Sequence, residues 1–343
     1  MKRSASKTTI LKISVGIDIS KPFFDAVSIK VLSIGESNPS ASKRFQNTPA
    51  GFAQFGQWLR AHCTNALQVC RTCMEATGRY GDDLALWLHT NGFVVSVVNP
   101  KVIHDYAKVR SNRNKTDSLD AALIARFCLK EEPVRWSPPS QEIQSLRALL
   151  KCRADRQEAR QRELNRLSSI ITCPEVVDLT NQLIAQIDAQ IDKLDAAIKL
   201  LVKQTPTFVE QKKLLVSIPG IASLTAMRLI AFDLLRFDDA DAAVAMAGLN
   251  PSQGTSGISV HHKTRLSKRG HADLRKALYM PAVTALKYNP YVAALAKRLT
   301  ADARHKMVIV GAAMRKLLRL AYGVLKSRTL FDPEFCPRSL KTT

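Results

Sequence analysis

Acidic residues are scarce in this 343-residue sequence: 29 Asp and Glu stand against 51 Lys and Arg, a formal net charge of +22 with a pI near 9.9. Such an excess is self-repulsive unless a polyanion is the working partner, so nucleic acid is the first candidate. Aromatic residues make up only 6% of the chain, which argues against a reader built from many stacked rings and for binding through phosphates. The seven cysteines are an odd number and widely scattered, so no disulfide framework is expected. The opening MKRSASKTTILKIS is basic but lacks the apolar run of about 7 to 15 residues that marks a signal peptide. Later apolar runs such as MVIVGAAM at 307–314 fall far short of a membrane span, and a cytoplasmic protein is expected. No G-x-x-x-x-G-K-[ST] occurs, which argues against an ATP-driven helicase, and no fixed-period repeat is visible.

With 46% hydrophobic residues, a chain of this length predicts more than one core. From Ile10 to about Val98, short β-rich runs alternate with helical ones: ILKISVGIDIS, FDAVSIKVL, the polar SKRFQNT, the helical AGFAQFGQWLRAHC, LQVCRTCMEAT, the helical GDDLALWLHT, Gly92 as a stop, and FVVSVVNP. This predicts an α/β domain with a mixed five-stranded sheet, an antiparallel meander first and parallel crossovers after it. The basic KVIHDYAKVRSNRNK leads into TDSLDAALIARFCLK, a helix opened by Thr116 that closes a first domain at about residue 130. A Pro-rich linker, 131–140, precedes two long helices broken at Cys173-Pro174. In the second of these, Ile184, Ile187, Ile191, Leu194, Ile198 and Leu201 follow coiled-coil spacing, which fits equally a hairpin folded on 143–171 and a dimer zipper. A mostly α-helical third region spans 206–330, with a tail at 331–343. Between Thr255 and Arg328 it holds sixteen Lys or Arg against only Asp273 and Asp302, so most of the net charge lies there.

Three motifs could carry chemistry. Asp18, in VGIDIS, lies among apolar strand residues, where a buried carboxylate needs a partner or a metal, although an outward-facing strand residue is the plain reading. Glu75 ends the later strand CMEAT, on the edge where open α/β sheets keep their sites. Asp117 and Asp120, three apart, share one helix face that can point back to that edge. Four converging carboxylates would repel unless divalent cations sat among them, and Mg²⁺ is the natural hard ion, with Mn²⁺ its substitute. The second motif is LLVSIPGIASLTAMRLIAF, 214–232, where Pro219 and Gly220 make a turn between helices. It is read either as a helix-hairpin-helix offering backbone N–H groups to a phosphate or as a structural elbow. The third is a loop marked by Gly248, Pro251, Gly254 and Gly257, with Ser256 inside it and Lys263, Arg265, Lys268, Arg269, Arg275 and Lys276 following as candidate phosphate contacts. On composition alone this is a Ser/Gly loop ahead of a solvated basic face. Cys70-x-x-Cys73 has no second pair at zinc spacing and reads as buried thiols, and His261-His262 as a loop pair.

A strand Asp, a strand-end Glu and a helical Asp-x-x-Asp resemble the RuvC-like branch of the ribonuclease H fold. With the contexts GIDISK, EATGRYG and NKTDSLDA, the sequence resembles the DEDD transposases of insertion-sequence family 110, relatives of the pilin-gene invertases, over most of its length from about Ile10 to Leu330. The C-terminal domain of that family has a Gly-Leu-x-Pro stretch, a Ser-Gly pair and a Lys-x-Gly-x-x-x-Leu-Arg stretch, which here read GLNP, Ser256-Gly257 and Lys268 to Arg275. His271 follows Gly270 where the family usually has Asn, and carries no assigned role. The resemblance implies Ser256 as nucleophile, Asp18, Glu75, Asp117 and Asp120 as metal ligands, donor and target DNA as substrates, a structured guide RNA, and a homo-oligomer, dimer or tetramer. A RuvC-type nuclease or junction resolvase, needing only the carboxylates, is the rival reading, and a non-catalytic packaging protein the third.

Overall fold

The computed structural model describes residues 10–33, 35–62, 70–76, 79–109, 117–169, 173–256, 260–268 and 270–334. The chain divides into two compact units, 1–138 and 139–343, described separately below.

The first unit is built on a mixed sheet. β1 (Ile10–Ile19) and β2 (Phe23–Leu32) form an antiparallel pair, and β2 also pairs antiparallel with β3 (Gly35–Glu36) and with β4 (Lys43–Gln46). After helix α1 (Pro49–His62) comes β5 (Cys70–Glu75), parallel to β1. After α2 (Arg79–Thr90) comes β6 (Val94–Val98), parallel to β5. Helices α3 (Pro100–Val109) and α4 (Asp117–Glu131) complete the unit. The meander and the parallel crossovers follow the sequence pattern, but among the described residues the sheet has six strands, not five, because two separate short strands, β3 and β4, pair with opposite ends of β2. Helix α3 was not expected, since its basic surface residues hid the apolar positions Ile103, Tyr106 and Ala107 that pack toward α4.

Alternation along β1 decides what covers each face. Ile13, Val15 and Ile17 are buried with Phe55 and Leu59 of α1 and Leu84 and Leu88 of α2. The other face carries Ser14, Gly16 and Asp18, and α4 lies on it. A Cβ added at Gly16 would stand under 3.0 Å from the Ala121 carbonyl and the Ala125 amide, so only glycine lets the helix backbone come this close. Ser14 Oγ donates to Ala125 O at 2.7 Å, fixing the contact. Within the stretch read as a linker, Trp136 N–H donates to Val95 O at 2.7 Å and Ser96 Oγ to Pro133 O at 3.1 Å, so residues 133–136 are tied to β6.

The second unit is helical. α5 (Gln141–Ser169) and α6 (Pro174–Gln204) pair antiparallel within the chain: Arg153 meets Asp195 and Arg160 meets Asp188, so seven residues forward on one helix are seven back on the other. Pro174 in the first turn of α6 makes the break foreseen there. Ile184, Ile187, Ile191 and Ile198 are buried, as their spacing demands. The unit continues through α7 (Pro206–Val216), α8 (Ser223–Phe232), α9 (Ala240–Met246), β7 (Pro251–Ser256), β8 (Val260–Leu266), α10 (Ala272–Tyr288), α11 (Pro290–Ala301) and α12 (Lys306–Ser327). Its core joins Leu146, Ile198, Leu215, Leu229, Leu278 and Leu317. No described helix is long and apolar enough to cross a membrane.

Candidate active site

Strand register brings the first two carboxylates together. Ile17 of β1 is paired with Met74 of β5, so the next residues, Asp18 and Glu75, are neighbours at the carboxyl edge of two parallel strands. They also share a face. Asp18 lies two residues beyond Gly16 on the side that α4 covers. Glu75 lies two beyond Cys73, which packs with Leu123, Ile124, Phe127 and Cys128 of α4. Cys73 hydrogen-bonds to Cys128, and this contact together with burial pushes its thiol pKa up, leaving it protonated.

Helix α4 runs against β1 so that its start reaches the same edge. Ser14 meets Ala125, and Gly16 meets Ala121 and Ala125, so moving up the strand means moving back along the helix. Two strand residues advance about 6.6 Å, the rise of four to five helical residues at about 1.5 Å each. From the Gly16 contact this leads to the level of Asp117 and Asp120. Asp120 and Asp18 are both half-buried. Asp117 begins the helix, and its side chain lies outside the described residues. Among the described residues no three His, Cys, Asp or Glu side chains stand close enough to hold an ion. The described carboxylates near the edge, Asp18, Glu75 and Asp120, are oxygen donors, a chemistry suited to Mg²⁺ or Mn²⁺ rather than to a thiol-seeking metal. Cys70 and Cys73, by contrast, are buried in separate clusters on opposite faces of β5 and cannot chelate one ion.

The same row contains residues the sequence analysis missed. Asp25 of β2 lies directly across from Asp18, and Arg44 of β4 directly across from Asp25. Arg44 grips Asp25 with two parallel hydrogen bonds, Nε to Oδ1 at 3.1 Å and Nη2 to Oδ2 at 2.9 Å. The signal that singled out Asp18, an aspartate inside an apolar strand, is present equally at Asp25 in FDAVSIKVL.

In the second unit the expected loop is a β-hairpin. β7 and β8 pair antiparallel, and the last pair in the ladder is Ser256 with Val260, so Ser256 stands at the hairpin tip. The β-branched and polar run VHHKTRL supplies a strand that the glycines obscured. The side chains of Ser256 and Lys263 lie outside the described residues, as does Arg269 altogether. Arg265 and Lys268 are exposed near the hairpin base, where Lys268 N–H bonds Gly248 O at 3.1 Å. Arg275 is turned inward, donating to Ala247 O and Gly270 O, and so holds the segment that leads into α10. Lys276 pairs with Glu158 of α5 at 2.5 Å. His271, just before α10, rests edge-on against Phe232, and burial, with Arg236, Arg147 and Arg275 nearby, pushes its pKa down.

Pro219 and Gly220 form the turn between α7 and α8. Gly220 has φ +104°, and a Cβ added there would stand under 3.0 Å from the Ala285 side chain and the Pro281 carbonyl of α10. The N–H of Ile221 bonds Ile218 O at 3.0 Å within the turn, and an open groove of about 440 Å³ beside it is lined by Val216, Gly220, Thr225, Met280 and Thr284.

Comparison with known proteins gives the family. A family model for DEDD transposases of the IS110 group matches residues 15–173, and one described as transposase IS116/IS110/IS902 family matches 212–297. The chain is 35% identical over 324 residues to the pilin gene-inverting protein of Moraxella bovis, covering 94% of this chain and 98% of that one. It belongs to the IS110 family of transposases. The pilin gene-inverting protein of Moraxella lacunata is related to the same extent, 35% over 324 residues. Membership in the IS110 family implies DNA as substrate and DNA recombination as activity. The first family match spans the carboxylate row and α4, and the second spans the Pro219-Gly220 turn and the hairpin.

Proposed function

We propose that this transposase cuts and rejoins DNA strands by attack of Ser256 on a phosphodiester, assisted by a divalent metal at a RuvC-like carboxylate site, and that a structured RNA guides it. The observation that carries the reading is the Gly16 contact with α4, which brings the start of that helix to the sheet edge shared by Asp18 and Glu75. Asp18, Glu75, Asp117 and Asp120 would hold Mg²⁺ or Mn²⁺. A bound ion there supplies charge neutralisation at the scissile phosphate.

The chemistry of recombination favours a serine over water. Ser256 Oγ bonds to phosphorus as the bond to one sugar oxygen breaks; the hydroxyl gives up its proton and the departing oxygen takes one up. The product is a phosphoserine diester of similar energy to the bond it replaced, which a second DNA end reverses without ATP. A hairpin tip lets a hydroxyl approach phosphate closely. The turn at Pro219 and Gly220 and the cations Lys263, Arg265, Lys268 and Arg269 would contact the backbone without reading sequence, with Arg275 and Lys276 closer to structural duty. Base pairing with a guide RNA would then carry target choice. The relatives' name, pilin gene-inverting protein, supports inversion as one outcome of the same exchange. An oligomer, dimer or tetramer, would supply the two strand-exchange centres that rejoining needs.

The test is a covalent adduct. On a nicked substrate carrying the element's own end, the wild type is expected to leave a protein–DNA band on a denaturing gel. Ser256→Ala should bind DNA yet form none, and Asp18→Ala should form none for want of metal. Normal cutting by Ser256→Ala would establish the nuclease reading instead.

A further inference from the structure

The row of charged side chains on the α4 face does not end with the carboxylates. In register across β5, β1, β2 and β4 stand Glu75, Asp18, Asp25 and Arg44, all on one face at one end of the sheet. Asp25 is 6% exposed and directly opposite Asp18. Two carboxylates facing each other across an antiparallel pair repel, and a buried one left alone is costly. Arg44 relieves this by its two-point grip on Asp25. Its guanidinium also lies over the Phe23 ring, 3.7 Å from the centroid, so it is held from two sides.

A pair serving the fold alone has no need of this location or this form. An ion pair with one partner this exposed adds little to stability, and the neighbouring row of β2 and β4 shows the apolar solution, Phe24 stacked on Phe45. What the ion pair adds is a cation with a fixed orientation, two strands from Asp18. The Arg44 side chain is 54% exposed while that of Asp25 is 9% exposed, so the anchor is buried and the cation reaches the surface.

We infer that Arg44 is a phosphate-binding residue of the carboxylate site, taking a non-bridging oxygen of the DNA strand being cut, and that Asp25 and Phe23 are its positioning residues. Arginine suits the task because it stays charged and offers five donors in a rigid fork, of which the grip on Asp25 uses two, and its side chain remains half exposed. A cation here also offsets the repulsion that a row of carboxylates exerts on an incoming phosphate. The inference rests on the proposal that the carboxylate row is the cutting site.

The experiment is a protein-against-phosphate cycle on the protein as purified with any RNA it carries. Single-turnover cleavage of a duplex bearing the element's own end is measured for the wild type, Arg44→Gln, Arg44→Lys and the double variant Asp25→Asn/Arg44→Gln. Each is tested on unmodified DNA and on DNA with one phosphate at a time replaced by a neutral methylphosphonate. Arg44→Gln should cut roughly 10²-fold more slowly. At one linkage near the cut, neutralisation should slow the wild type and leave Arg44→Gln no slower than it already is. Arg44→Lys should recover part of the rate. The double variant leaves no buried unpaired charge, so it keeps the fold and should remain slow. Recovery of the wild-type rate by the double variant, or an Arg44→Gln penalty that adds fully to that of every linkage, would show that Arg44 only neutralises Asp25 and would overturn the inference. A wild type that cuts normally while Asp18→Ala also cuts would instead overturn the proposed carboxylate site, whatever Arg44 does.

Discussion

The two units hold their candidate chemistry in opposite ways. In the sheet unit each carboxylate is fixed by neighbours distant in sequence: Asp18 by its register with β2 and β5, Asp120 by the seating of α4 on Gly16 and Ser14. In the helical unit Ser256 closes a two-stranded ladder, and the only described strand paired with its own is the next one in sequence. The proposed metal site, built of few ligands, would tolerate little displacement, whereas the proposed nucleophile, which must meet DNA, would gain from a place at the end of a hairpin ladder. Charge is divided as well: the stretch from Thr255 to Arg328 carries sixteen cations and two carboxylates, while the sheet edge gathers carboxylates. Affinity for DNA should therefore reside mainly in one unit and cleavage chemistry in both.

The strongest way to break this comparison is at Gly16. Gly16→Ala forces a Cβ against the backbone of α4 and should destabilise the sheet unit by about 3 kcal/mol and abolish cleavage. Thermal unfolding followed by Trp fluorescence reads this unit directly, because Trp58, Trp87 and Trp136 all lie in it. An unchanged melting curve would mean that α4 is not locked to β1. Next in size is the electrostatic division. Replacing Lys268 and Arg269 together should weaken DNA binding and lower the log-log salt slope by about one to two units, since each phosphate left without its cation removes about 0.9. Asp18→Ala should leave that slope as it was; if it flattened the slope equally, the division of labour would fail.

The smallest effect concerns pH. Burial and the nearby Arg236, Arg147 and Arg275 push the pKa of His271 down in the folded chain, against Asp273, which pushes it up. The unfolded state then binds more protons than the folded one, so stability is fully present above the ordinary imidazole value of about 6.5 and falls as the pH drops through and below it. Denaturant unfolding of the helical unit between about pH 7.5 and about 5 should show this slope, and His271→Gln should reduce it. An identical pH profile in that variant would assign the acid sensitivity elsewhere.

Local chemistry was legible wherever neighbours in sequence decide the outcome. The alternation of Ile13, Val15 and Ile17, the glycine stop at Gly92, the Cys173-Pro174 break and the heptad spacing of α6 all announced their elements, because period and backbone restriction act over a few residues. The same logic failed at α3, whose apolar positions were masked by basic neighbours, and at the hairpin, where Gly254 read as part of a loop although backbone pairing with β8 makes it strand.

What the sequence determined by itself was therefore the kind of protein: a basic chain with a mixed α/β unit and a helical unit, and with Asp18, Glu75, Asp117, Asp120 and Ser256 as its candidate chemistry. What only the tertiary structure decided was which side chains share a surface. Asp25 and Arg44 are 19 residues apart and enter the row solely because β4 pairs with β2. Asp120 reaches the level of Asp18 solely because Gly16 lets α4 approach to backbone contact. Periodicity is a property of a few consecutive residues and survives in the sequence; register and helix seating are contacts between segments, fixed only when the whole unit packs.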